Sequence, residues 1–210
     1  MGLDMYLNAE KRLNPKRKRD KQYIDYFNTL PRELFEDDDG DGSYLYVSEY
    51  FSNSKDVHAH LKTMPKLYGQ VGDIKIIKPD GDSYIISTEA AYWRKANQIH
   101  NWFVEKCQDG VDDCGTYPIS FDQLKTLYNT MGSFGKLPSE KSFRDGAFQP
   151  TPEQVELAET ALPSVGGFFF GSTDYDVYYF WDIKDTRKQL KDLMNPATIN
   201  NWKLTYNSSW

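Results

Sequence analysis

The sequence predicts an α+β fold: a single domain with one small, mostly antiparallel sheet packed with about four helices and elaborated by an N-terminal insertion. Three observations carry this expectation. Leu3, Met5 and Leu7 alternate with Asp4 and Tyr6, the period-two pattern of a half-buried strand. Two further apolar runs, Ile74–Ile77 and Tyr84–Ser87, flank Pro79-Asp80-Gly81-Asp82 and read as a strand-turn-strand hairpin. From residue 88 onward, segments of helical spacing open at Ser, Thr or Asp and close before Gly or Pro.

A chain of 210 residues buries about 70% of its unfolded surface, so its core needs no disulfide or metal. Hydrophobic residues at 39%, with 15 Tyr and 12 Phe, exclude a disordered chain. Charged residues at 27%, a mean hydropathy of -0.70 and the lack of any long apolar stretch argue against a membrane span. The first residues lack the basic-then-apolar layout of a secretion signal, and Tyr6 stands where a myristoylation signal needs Ser or Thr. Cys107 and Cys114 are therefore expected as reduced thiols in a cytosol. A formal charge of -6 disfavours general nucleic-acid coating.

The elements follow in order. Residues 2–7 form a strand. Residues 8–87 are a variable elaboration that includes the hairpin at 74–87, helix-like fragments at 22–30 and 58–67, a basic run from Lys11 to Lys21 and an acidic run from Glu33 to Asp41. Ser87 or Thr88 caps a helix whose first turn holds Glu89, and the helix runs from about Ala90 to Lys106. Ser120 caps a helix over residues 121–131, and residues 132–150 are broken by Gly and Pro into a loop. Thr151-Pro152-Glu153-Gln154 is a capping box opening a short helix that ends near Leu162. Gly166–Phe170 reads as a buried strand, and Gly171-Ser172-Thr173 turns it into a last long helix from Asp174 to Met194. Residues 195–210 form a tail in which Trp202–Tyr206 alternates like an edge strand.

On the helix at 90–105, Tyr92, Ala96, Ile99 and Phe103 form a stripe assigned to the core. Trp93, Asn97, His100 and Val104 form a second, flanked by Arg94, Gln98 and Asn101. These side chains suit stacking and directional hydrogen bonds, so the second face either lines a ligand pocket or satisfies buried backbone. The Gly171-Ser172-Thr173 turn likewise has two readings. It either binds an anion through free backbone N–H groups at a helix start, or is a glycine turn with an ordinary Ser or Thr cap. No phosphate-loop or dinucleotide fingerprint is present.

Asp37, Asp39, Asp41 and Gly42 reproduce half of a calcium loop, but Ser48 stands where the bidentate Glu belongs, so a solvated acidic loop competes with calcium. The run Lys16–Arg19 reads as a solvated face or a nucleic-acid arm. His100 with Asp112, Asp113 or Cys114 supplies the residue types of a hydrolytic site, while three histidines in the chain make a His-rich metal centre unexpected. No cofactor is expected.

Four motifs occur in order: Met1-Gly2-Leu3-Asp4-Met5-Tyr6-Leu7, Tyr92-Trp93-Arg94-Lys95-Ala96-Asn97-x-Ile99-His100-x-Trp102-Phe103, Gly110-Val111-Asp112-Asp113-Cys114, and Gly167-Phe168-Phe169-Phe170-Gly171-Ser172-Thr173-x-Tyr175-Asp176-x-Tyr178-Tyr179. Together they resemble a family of small uncharacterised proteins encoded by tailed bacteriophages and prophages. The resemblance covers the extreme N-terminus and residues 88–194, the family core. It implies a protein made in the cytoplasm of an infected bacterium and brings no activity with it.

The leading expectation is an accessory protein that binds a small anionic, ring-containing ligand such as a nucleotide or nucleotide signal, with countering a host process as its expected purpose. Trp93 would stack, Arg94, Asn97 and His100 would bond, and Gly171, Ser172 and Thr173 would meet the anion. The alternatives are a protein-interaction module acting on a host macromolecule, and a hydrolase built on His100 with Asp112, Asp113 or Cys114.

Overall fold

The computed structural model describes residues 2–27, 45–46, 74–80, 83–196 and 202–210. In chain order its elements are β1 (Asp4–Arg12), α1 (Lys18–Phe27), β2 (Leu45–Tyr46), β3 (Ile74–Asp80), β4 (Ser83–Arg94), α2 (Asn97–Cys107), β5 (Tyr117–Ile119), α3 (Phe121–Gly132), α4 (Glu140–Arg144), α5 (Pro152–Ala161), α6 (Val177–Leu190) and β6 (Lys203–Ser209). The α+β class is as predicted. The chain divides into two compact units, one of Met1–Leu7, Ala90–Asn195 and Leu204–Trp210, the other of Asn8–Glu89 and Pro196–Lys203.

In the first unit the strand order is β4-β1-β6-β5. Leu3, Met5 and Leu7 are fully buried, as the alternation requires. They join Ile99 and Phe103 of α2, Leu124, Leu127 and Met131 of α3, and Phe180 and Ile183 of α6 in the core. The ring of Phe103 lies stacked on Tyr206 of β6, centroids 4.0 Å apart. Two predicted caps are present, whereas Ser87 and Thr88, expected to cap a helix, lie inside β4. Ser120 with Gln123, and Thr151 with Gln154, each make a reciprocal capping box, the second with Pro152 in the first turn.

Four expectations are corrected. The segment 90–94 is not the first turn of a helix but the end of β4. Ala91 and Trp93 point inward and Tyr92 and Arg94 outward, so period two prevails over the helical stripe that fits the same letters. The strand is held there by long-range bonds: Gln189 accepts from the Tyr92 N–H and donates to its carbonyl, each at 2.9 Å, and the Lys95 N–H donates to Leu3. Tyr92, assigned to the core, is 37% exposed and its hydroxyl bonds Asp4. Lys95, at φ 60°, turns the chain and α2 begins only at Asn97.

Residues 166–170 are not a buried strand. They form an irregular turn from which Phe168 and Phe169 project, 80% and 49% exposed. The last long helix starts three residues later than expected, at Val177, and its cap is Asp176, whose carboxylate accepts from the N–H groups of Tyr178 and Tyr179. Finally, β6 is not an edge strand. It lies between β1 and β5, which explains why Leu204, Thr205 and Tyr206 are all buried instead of alternating. The loop expected over 132–150 also contains the single-turn helix α4, capped by Ser139.

In the second unit the order is β2-β3-β4-β1, and the predicted hairpin is present, with β3 and β4 antiparallel from Ile74↔Thr88 to Asp80↔Ser83. Lys11 and Asp20 form a buried ion pair at 3.2 Å, and Asp20 also accepts from the Asn14 N–H, so the charges are both paired and hydrogen-bonded. The Asp37–Gly42 loop and the fragment 58–67 lie outside the described residues.

Candidate functional site

The site begins with α2, which the Ala96–Asn97 register rotates so that Asn97, Gln98, Ile99, His100, Trp102, Phe103 and Val104 are all buried. Buried polar groups on a helix must find partners, and each one here does. Asn97 Nδ2 donates to the carbonyls of Phe170 (3.3 Å) and Ser172 (2.8 Å), and its Oδ1 accepts from the Val165 N–H (3.1 Å). It is a clasp for the loop 165–172. Gln98 donates to the Tyr179 carbonyl and to Asp182. Burial raises the Asp182 carboxyl to about 7, against the opposing effect of Gln98.

His100 is the centre of a chain of bonds. Its Nδ1 lies 2.8 Å from the Tyr206 hydroxyl and its Nε2 lies 3.0 Å from Asp112 Oδ2. Burial holds the Tyr206 phenol protonated, and Ser208 bonds its oxygen, so the phenol proton points at Nδ1. The opposite ring nitrogen, Nε2, faces the Asp112 carboxylate, an acceptor for an Nε2–H. The other Asp112 oxygen accepts from the Trp210 indole N–H at 3.1 Å. Phe170 packs edge-on to both His100 and Trp210.

These groups line a cleft of about 420 Å³ between α2 and the turn 165–170. Val104, Val165, Phe168, Phe170 and Trp210 supply its apolar surface, and Asn101, Glu105 and Asp112 its polar edge. Its size and mixture of walls are those of a small-molecule site. A second cleft of about 610 Å³ lies over Phe134, Leu137, Phe148 and Gln154. Gln154 is occupied there with the carbonyls of Phe134 and Lys136, and Ser139, Ser142 and Thr151 are engaged in helix caps.

The residues expected to bind ligand separate. His100 lines the cleft. Trp93 does not: it is a buried residue of β4, and its indole N–H is spent on Thr186 Oγ1 at 2.9 Å. Asn97 is spent on the loop. Arg94 is exposed and lies 3.7 Å from Asp4. Gly171, at φ 95°, permits the close approach of Lys95, whose carbonyl oxygen would lie 3.2 Å from an added Cβ. Ser172 Oγ donates to the Asp174 carboxylate and accepts from its N–H, both at 3.0 Å, and Thr173 lies in the same exposed turn. Neither caps the helix, whose first N–H groups belong to Asp176.

The hydrolytic constellation is also only half assembled. His100 meets Asp112, but both imidazole nitrogens are occupied and no nucleophile is bonded to either. Asp113 is turned to the Gly115 N–H and the Tyr117 hydroxyl, which hold its carboxyl below the usual range. Cys114 is exposed. Among the described residues no group of three or more His, Cys, Asp or Glu is placed to hold a metal.

Sequence reasoning missed Trp210, Phe168, Phe170 and Glu105 as lining residues. Phe168 and Phe170 were hidden by the reading of 166–170 as a strand. Nothing local could tie Trp210 to Asp112 across 98 residues. The fold and cleft define a class, an α+β domain with an aromatic-walled, carboxylate-bearing cleft. No protein-family model matches the chain, and no curated protein or solved structure does.

Proposed function

We propose that the first unit binds a small ring-containing ligand in the cleft beside His100, with Phe168, Phe170 and Trp210 as stacking walls and Asp112 and Asn101 as hydrogen-bonding groups. The observation that carries this is the fixed carboxylate of Asp112. It is held by His100 and Trp210 at the side of a cleft that also presents the apolar Val104, Val165, Phe168 and Phe170. A nucleobase is a ring of the right kind. The anionic half of the sequence reading loses its support, because Arg94, Asn97, Ser172 and the start of α6 are engaged elsewhere and the cleft carries acidic groups. In keeping with the tailed-phage resemblance, such a protein would act in an infected bacterial cell. Chemical-shift mapping against a panel of nucleosides and aromatic heterocycles tests the reading. Shifts clustered at His100, Asp112 and Phe170, lost in Trp210→Ala, are expected; shifts that cluster at Phe134 and Phe148 instead would overturn it.

A second reading, docking on a host macromolecule, is favoured by one observation: Phe168 and Phe169 stand side by side in solvent, centroids 4.2 Å apart. A lysate pull-down that loses its captured host protein in Phe168→Ser supports it, and capture unchanged by that substitution removes it.

A further inference from the structure

We infer that the cleft selects an organic cation, an ammonium, amidinium or guanidinium group carried on a planar ring; this rests on the ring-binding reading and adds the sign of the ligand's charge. Two of the residues lining the cleft are carboxylates, Glu105 and Asp112, and none is Lys or Arg. Asp112 is fixed by His100 Nε2 and by the uncharged indole N–H of Trp210, one on each carboxylate oxygen. Each oxygen keeps a lone pair, and the Asp112 side chain is 28% exposed, so a ligand can reach it. Among the described residues Glu105, exposed on α2, has no ion-pair partner.

The walls have the same preference. Aromatic faces are electron-rich and attract cations, and Phe168 and Trp210 both keep much of their surface open beside the carboxylates. A cation entering here gains a charge-assisted bond to Asp112 and a ring face together. An anion entering the same space meets two carboxylates and no Lys or Arg.

Three probes share one ring and differ in charge: benzamidine, benzamide and benzoate. Titrated into the full chain with chemical-shift and calorimetric detection, benzamidine is expected to bind about tenfold more tightly than benzamide, with benzoate weakest. Glu105→Gln should reduce benzamidine binding several-fold, leave benzamide binding nearly unchanged and blunt the salt dependence of the cation, and Asp112→Asn should weaken benzamidine by a larger factor than benzamide. Glu105 is exposed and unpaired, so its substitution leaves the fold intact even where Asp112→Asn does not. Benzamide or benzoate binding in the cleft as tightly as benzamidine overturns the charge preference and leaves the ring-binding reading standing. No cleft shifts with any probe, nor with the neutral heterocycle panel, overturns both.

Discussion

The imidazole Nε2 of His100 lies 3.0 Å from the Asp112 carboxylate, and the opposite ring nitrogen lies 2.8 Å from the hydroxyl of Tyr206, 106 residues away in sequence. One buried side chain thus ties α2 to β6 and to the loop after α2, and its stability and the cleft's geometry are the same problem. His100→Ala should leave the Tyr206 hydroxyl without its acceptor and a void beside Phe170, at a cost of about 3 kcal/mol. Urea unfolding measures it. A loss under about 1 kcal/mol would mean the bonds are readily replaced by water.

The Asn97 side chain holds a loop. Asn97→Ala removes three hydrogen bonds between the start of α2 and residues 165–172. A destabilisation of about 2 kcal/mol is expected, with faster amide exchange at Val165 while the amides of α3 stay protected. Unchanged exchange at Val165 would show that the loop is held by something else.

Asp182 should make stability fall as pH rises. Its carboxyl is raised from 3.8 to about 7 by burial, so the folded state binds a proton the unfolded state has lost across that interval. The contribution is complete below about pH 4 and is lost as pH rises through 7. Asp182→Asn should flatten this slope and be the more stable protein at pH 8, by an amount on the order of a few kcal/mol. Parallel urea curves at pH 5 and pH 8 for both proteins decide it.

Phe169 adopts φ 68°, a left-handed conformation that costs a bulky residue about 1 kcal/mol or more, while its ring is half exposed. Phe169→Gly should therefore hold or raise the thermal midpoint, unlike most aromatic truncations. A clear drop in the midpoint would show that the ring contributes packing worth more than the strain.

The two thiols should differ sharply. Cys107 is half-buried and burial pushes its thiol up to about 12, whereas Cys114 is exposed. At neutral pH an alkylating reagent should label Cys114 quickly and Cys107 only on unfolding, as mass spectrometry of time points will show. Equal rates would contradict the burial of Cys107.

Local signals in the sequence determined a good part of this protein. The alternation of Leu3, Met5 and Leu7, the capping boxes at Ser120 and Thr151, and the pairing of β3 with β4 depend on neighbours close in sequence, and these are in place. The segment 90–94 failed because its letters satisfy two periods at once. Gln189 and the neighbouring strand β1, both remote in sequence, select the strand by bonding its backbone. The same physics divided the expected site. Trp93 and Asn97 look like ligand groups until Thr186, Val165, Phe170 and Ser172 arrive to use their polar atoms. His100 and Asp112 could be named from residue type, but the cleft beside them exists only because folding brings Phe168, Phe170 and Trp210 to one place. Residue type states what a side chain can bond; tertiary structure decides which of those bonds remain free for anything else.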